Sequence, residues 1–444
     1  MSNTMRILLI QSLSVEGVSA EKVYPIGLVS LAGLIRNPSN EVALIDLNIH
    51  PDPFRALREK LLEFNPDVAG ISLRNIDPLG NKASSLIPPF IAAVRMIAAI
   101  RPTTCIIAGG TGFSLFSERL MQDLPEISYG IIGEAEESFP ALIAALDNPP
   151  SLKGLCRRNG DCIIITPPSC EYDMSHYEAP DRTLLDPAQY LDINTYVPAI
   201  GIETKRGCPY TCSYCVYPKL QGTKLRCRPP HLVVDEMEFL HKEYGIKSFH
   251  YTDPVVNIPG GHLEDICREI LRRKLLIRWD GFMRENQLTE KNVSLYVKSG
   301  CECFSFSPDG YCGEALAVLG KGMAEEDIVK AARLVSQTDV ITVYHFMVNV
   351  PGETKETAEK GIKLFDRLYD LHSAKRNLGT IVLNNIRIHP GTRIEEIARR
   401  EGAIGPDTDL LHPTYYNPAP FESLRYRLET MHYLRNIFSW EGLA

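Results

Sequence analysis

The chain has 444 residues, 44% of them hydrophobic and 23% charged, which is enough for at least two cores and too apolar for a disordered protein. A formal net charge of −8 excludes a general polyanion binder, because non-specific affinity for nucleic acid rests on clustered Lys and Arg. The start, "MSNTMRILLIQ", lacks the features of a signal peptide, and the longest apolar window, Ser85 to Ile100, is broken by Pro88, Pro89 and Arg95. No membrane span and a cytoplasmic location are therefore expected, with the twelve cysteines reduced rather than paired.

In chain order, the apolar runs "RILLIQ", "EVALIDL", "DVAGISL", "TTCIIAGG" and "SYGIIGE" alternate with helical stretches from "IGLVSLAGLIR" to "SFPALIAAL". This pattern predicts an α/β fold, a doubly wound, Rossmann-like parallel sheet over 1–150. Periodicity then fades into a stretch rich in Pro, Asp and Tyr, read as a linker over 151–195 that packs between domains. From Ala199 the alternation resumes with "AIGIETKRG", "SFHYTDP", "IRWDGFM", "CECFSFSPD", "VITVYHFMVNV" and "TIVLNNIRIHP". These six strands with helices between them predict a partial (β/α)6 barrel over 196–400, followed by a C-terminal cap over 401–444.

"RGCPYTCSYC" places Cys208, Cys212 and Cys215 just after the first barrel strand, at the end where such barrels assemble chemistry. Three thiolates at this spacing can converge on one small volume, and soft sulfur selects zinc, copper(I) or an iron-sulfur cluster. Structural zinc wants four ligands, and the remaining candidate, Cys227, stands apart beyond "VYPKLQGTKLR".

The decapeptide resembles the CxxxCxxC signature of the radical S-adenosylmethionine (SAM) enzymes. The resemblance implies a [4Fe-4S] cluster held by Cys208, Cys212 and Cys215, whose fourth iron binds SAM. It implies reductive cleavage of SAM to a 5′-deoxyadenosyl radical, fed by an external electron donor such as a flavodoxin or ferredoxin. Along the barrel, Thr252 and Asp253 in "FHYTDP" stand where similar enzymes hold the SAM amino group, with an ordinary strand-ending turn as the other reading. Counting back from Gly320-Lys321 in "FSFSPDGYCGEALAVLGKG" places Asp309 where the family carries a Glu that accepts from ribose, although the Ser of its Glu-Ser-Gly is missing. "NVPGET" and "IHPGT" are read as strand-ending turns.

The first 150 residues resemble the cobalamin-binding domain of one large branch of these enzymes. Gly109, Gly110 and Gly133 would let backbone approach a corrin or its nucleotide tail at the C-terminal ends of parallel strands, and Ser72 could bond the tail. The loop "SLSVEGVSAEKVYP" has no DxHxxG, so the histidine that motif supplies to cobalt is absent, and His50 follows the second strand instead. The resemblance implies methylation of an unactivated carbon with cobalamin, with two alternatives: a cobalamin-associated oxidation, ring formation or rearrangement, or a first domain that is a scaffold without corrin. The substrate is expected to be a small, bulky, apolar molecule. Tyr344 and His345 are candidate catalytic residues, and being adjacent on a strand only one of them can face the barrel interior. Tyr415, Tyr416, Phe421, Tyr426, Tyr433, Phe438 and Trp440 would line a pocket or form the apolar face of a closing helix.

Overall fold

The computed structural model describes residues 4–14, 22–77, 84–191, 197–416 and 430. The expected aromatic positions Phe421, Tyr426, Tyr433, Phe438 and Trp440 lie outside them, as does most of the loop after the first strand. The chain divides into two compact units with the change at residues 200 and 201.

In the first unit, β1 (Met5–Gln11), β2 (Asn40–Asp46), β3 (Val68–Ser72), β4 (Cys105–Gly109) and β5 (Ile127–Ile131) are parallel neighbours in the order β2-β1-β3-β4-β5. Helices α1 (Ile26–Ile35), α2 (Pro53–Phe64), α3 (Ile87–Ile100), α4 (Thr111–Leu115), α5 (Ser117–Asp123) and α6 (Ser138–Ile143) make the crossovers. A strand covered on both faces reads as a continuous apolar run, and Ile7 to Ile10 of β1 are all buried.

The region read as a linker that packs between domains belongs to this first unit. An antiparallel hairpin, β6 (Leu155–Asn159) and β7 (Cys162–Ile165), extends the sheet beyond β5. Beyond the hairpin, three short 3-10 turns each start on an aspartate whose side chain accepts from the backbone N–H two residues on: Asp173 from Ser175, Asp181 from Thr183 and Asp186 from Ala188. Arg36, the residue that caps the C-terminus of α1, donates to Asp181 at 2.6 Å, and the buried Tyr190 hydroxyl donates to Asp46 at 2.5 Å. Hydrophobic periodicity cannot register a segment ordered by side-chain-to-backbone turns, which is why the linker reading failed.

The second unit carries β8 (Gly201–Ile202), β11 (Ser248–Tyr251) and β12 (Arg278–Asp280) as one parallel group. A second parallel group holds β13 (Phe282–Met283), β14 (Cys303–Asp309), β15 (Ile341–Val348) and β16 (Leu378–Arg387). A bridge between Trp279 and Cys301 links the groups, so the order follows the sequence as in the expected partial barrel. The antiparallel pair β9 (Lys205–Arg206) and β10 (Arg226–Cys227) brackets the cysteine loop, and β17 (Tyr415–Tyr416) closes the far edge against β16. Helices α7 (Tyr217–Gln221), α8 (Pro230–Tyr244), α9 (His262–Arg272), α10 (Glu290–Lys298), α11 (Gly313–Val318), α12 (Glu325–Val335), α13 (Lys355–Ser373) and α14 (Arg393–Arg400) connect the strands.

Strand alternation separates two faces. Tyr251 reaches Met237 of α8, Trp279 packs edge-on against Tyr296 of α10, and Phe346 against Phe365 of α13, so these residues face the helices. Their strand neighbours His250, Asp280 and His345 therefore face the barrel interior. No helix among the described residues is long and apolar enough to cross a membrane.

Candidate active site

The cysteine loop is anchored at every turn. Gly207, in the left-handed region at φ +87, enters it where a Cβ would meet the Lys224 carbonyl oxygen at 2.1 Å, so only glycine fits. The Cys208 N–H donates to the Gly222 carbonyl at 3.1 Å and the Cys215 N–H to the Cys212 carbonyl at 3.1 Å. Ser213 donates its N–H to Leu319 and accepts at its carbonyl from Ile394 N–H, both at 2.9 Å. The first turn of α14, which directly follows "IHPGT", thus helps to fix the loop. Between the cysteines, the Tyr210 ring lies under the Arg284 guanidinium, 3.7 Å from ring centroid to Cζ.

Tyr214 carries the other tether. Its hydroxyl donates to Oδ2 of Asp309, which also accepts from Lys321 Nζ at 2.6 Å, and Lys321 lies 3.2 Å from the Tyr214 oxygen. Asp309 and Lys321 are both buried, a paired charge held against the cysteine loop. Burial pushes the Lys321 ammonium down, but the Asp309 carboxylate and the Cys212 thiol beside it outweigh that and raise it. The count back from Lys321 therefore led to a residue that touches Lys321 itself, a contact the sequence reading did not contain. Glu285 is a further buried carboxyl near Lys321, Arg284 and Asp309; burial pushes it up to about 7, and its Oε1 has no hydrogen-bond partner.

The donor set fits an iron-sulfur cluster in kind and in setting. Burial raises the Cys208 thiol and pushes Cys215 up to about 12, while Arg284 and Lys321 act on Cys208 in the opposite sense. A buried anion is tolerable there only with such cations beside it. Among the described residues no three His, Cys, Asp or Glu side chains already form a metal-ligating group, so the cluster itself would draw the thiols together. Cys227 lies on β10, paired with Lys205 rather than in the loop.

Two sequence expectations need correction. Asp253 is fully used by the protein: Oδ1 accepts from the backbone of Thr204 at 2.8 Å and of Lys205 at 3.1 Å, and Oδ2 from the Thr204 hydroxyl at 2.5 Å. It ties β11 to the strand leading into the cysteine loop, with Lys205 Nζ 3.5 Å from Oδ2 and the side chain 0% exposed, so it presents no free oxygen to a SAM ammonium. Thr252, beside it, is half-buried with its N–H on the Ile202 carbonyl at 3.0 Å. Tyr344 is completely buried on the helix side, its hydroxyl 3.0 Å from His372 Nε2 of α13, so it cannot reach the barrel interior. His345 takes that face, 5.5 Å from the Phe282 ring, and burial lowers its imidazole to about 4. In "NVPGET", Glu353 is buried and accepts from the Tyr311 hydroxyl.

In the first unit, Ser72, Gly109 and Gly133 sit at or just past the C-terminal ends of the adjacent strands β3, β4 and β5, with Ser72 directly opposite Gly109. Each is partly accessible on the rim of an otherwise buried sheet, and Gly110 is exposed. That bare rim suits a large flat ligand such as a corrin. The left-handed φ of +99 at Gly110 has a local cause, since a Cβ there would meet the Leu73 carbonyl oxygen at 2.6 Å. His50 ends the turn after β2 and is half-exposed.

A parallel-sheet unit with an open rim, joined in one chain to a partial barrel with a three-thiol loop, defines a two-domain radical enzyme. Residues 15–143 match the B12 binding domain and residues 202–365 the radical SAM superfamily, and the chain belongs to the radical SAM enzymes that carry a B12-binding domain. It is 26% identical over 378 residues to an uncharacterized methyltransferase of Pyrococcus horikoshii, covering 84% of this chain and 78% of that one. It is 24% identical over 350 residues to the anaerobic magnesium-protoporphyrin IX monomethyl ester cyclase of Rubrivivax gelatinosus, covering 77% of this chain and 61% of that one. Its fold is shared with TsrM of Kitasatospora setae, a radical SAM methyltransferase solved with tryptophan and a SAM analogue, at a TM-score of 0.74, 24% identity and coverage of 89% and 76%.

Proposed function

We propose that this protein is a cobalamin-dependent radical SAM methyltransferase acting on an unactivated carbon of a small molecule. The observation that carries the reading is the three-thiol loop, pinned beside Lys321 and Arg284, in a chain whose first unit matches a B12 binding domain. When bound, the cluster and the corrin supply one-electron and methyl-transfer chemistry. The chain's part is positional: Cys208, Cys212 and Cys215 would hold iron, Lys321 and Arg284 would offset the negative charge of that site, and the packed barrel would limit access of water.

Thr252 and Asp309 are the proposed SAM contacts, and Ser72, Gly109, Gly110 and Gly133 the proposed corrin contacts. His345, neutral at physiological pH and facing inward beside Phe282, is the proposed substrate contact. An external one-electron donor of the flavodoxin or ferredoxin kind and a reducing, cytoplasmic setting complete the reading.

The experiment supplies anaerobically reconstituted protein with methyl-labelled SAM, a reductant and a fractionated small-molecule extract. The expected result is a labelled product that requires both cobalamin and reductant. The relationship to the cyclase favours a second reading, ring formation without methyl transfer. A cobalamin-dependent product carrying no label would select that reading over methylation.

A further inference from the structure

The barrel interior holds a second polar pair, separate from the cysteine loop, that the function described so far does not use. His250 on β11 and Asp280 on β12 sit directly opposite each other, and His250 Nδ1 lies 2.6 Å from Asp280 Oδ1. Both face inward, because Phe249, Tyr251 and Trp279 beside them are fully buried against the helices. The Asp280 side chain is 3% exposed and that of His250 is 16% exposed, so the carboxylate is sealed behind the ring while the ring still reaches open space. A carboxylate only accepts, so Nδ1 carries the hydrogen, and in the neutral imidazole Nε2 presents a lone pair. Among the described residues, Nε2 has no protein partner.

The pair is continuous with the rest of the interior. The His250 ring meets the Phe282 ring edge-on at 6.2 Å, and Phe282 meets His345 in the same manner at 5.5 Å. Two imidazoles thus flank one phenyl ring, and His345 lies within electrostatic reach of Asp309. A site walled by an aromatic ring with a lone pair at one end accepts a planar molecule that carries an N–H, an O–H or an acidic C–H at its edge.

We propose that His250, oriented by Asp280, is the proton acceptor for the substrate in the barrel interior. This rests on the methyltransferase reading and replaces its unactivated carbon with an sp2 carbon of a planar substrate, aromatic or conjugated. The S–CH3 bond of SAM breaks with its electron pair left on S-adenosylhomocysteine, the substrate gains the methyl group as a methyl-cation equivalent, and a C–C bond forms at the sp2 carbon. The C–H bond at that carbon then breaks, its electron pair stays in the ring, and the proton moves to His250 Nε2. Hydrogen abstraction from an sp3 carbon removes a hydrogen atom and needs no such acceptor, so an inward-facing His–Asp pair fits proton transfer better than hydrogen abstraction.

The tautomer is tested first, on protein without cofactors or substrate, by nitrogen NMR of histidine-labelled chain. The expected spectrum assigns His250 as the Nδ1–H tautomer with Nε2 unprotonated, and Asp280→Ala converts it to the commoner Nε2–H form. An Nε2–H imidazole in the parent overturns the proposal even if methylation is found. Turnover is tested next, with His250→Gln and Asp280→Asn compared for iron content and for product formation from the labelled-methyl assay. The expected result is retained iron with product formation reduced at least about 100-fold in His250→Gln, in the range for loss of an acid-base group, and an effect on kcat rather than KM. Unchanged turnover in His250→Gln, or loss of iron from both variants, shows that the pair is structural. Absence of any methylated product with the parent protein defeats the methyltransferase reading and leaves the tautomer result standing.

Discussion

Asp309 and Lys321 form the most consequential pair at the level of single residues. Removing one partner leaves a buried charge unpaired, so Asp309→Ala is expected to cost ~3 kcal/mol or more, whereas Asp309→Ala with Lys321→Met costs less than the two changes summed. Denaturant titration of the four proteins gives the coupling; strict additivity would show that the two groups do not depend on each other. His345 and His389 supply a pH dependence, since burial lowers both from the usual 6.5 to about 4. Between those values the unfolded chain binds protons that the folded chain excludes, so stability falls as pH drops from 6.5 toward 4. A denaturation series from pH 7 to pH 5 is expected to flatten in the His345→Gln, His389→Gln double variant, and an unchanged slope would count against burial as the cause. The cysteines were legible because their spacing is itself the chemistry. The His250–Asp280 pair was not, because its partners lie on different strands and meet only through barrel register.

Secondary-structure elements were legible wherever a period existed. The parallel strands appear as apolar runs with helical stretches between them, so the parallel sheet of the first unit and the partial barrel of the second matched the expectation in fold class. The segment after residue 150 was misread because aspartate-started turns and a short hairpin, not a repeating face, order it. Which of Tyr344 and His345 faces inward was undecidable from adjacency alone and is settled by the α13 contacts of Tyr344. The docking of the segment yields a test. Tyr190→Phe removes the O–H that Asp46 accepts in a buried setting where burial already raises that carboxyl. A loss of about 1–3 kcal/mol is expected. Thermal denaturation showing no change would mean that the segment contributes nothing to the first unit.

At the scale of the molecule, the two units divide the cofactors between them. The first unit offers a bare rim of strand ends and a half-exposed His50; the second offers thiols, a buried ion pair and an aromatic interior. Cobalamin bound to the first unit is expected to show no nitrogen ligand from a protein histidine, because the loop after β1 contains none. Electron paramagnetic resonance of the reduced corrin checks this, and nitrogen splitting that vanishes in His50→Ala would contradict it. The most direct test of a chain that carries both cofactors on separate units is a count of iron and cobalt in anaerobically reconstituted parent protein and in the variant with Cys208, Cys212 and Cys215 all changed to Ala. About four irons and one cobalt per parent chain are expected, with iron lost and cobalt retained in the variant. Iron that persists without the three thiols, or a parent chain that binds no cobalt, would contradict this expectation.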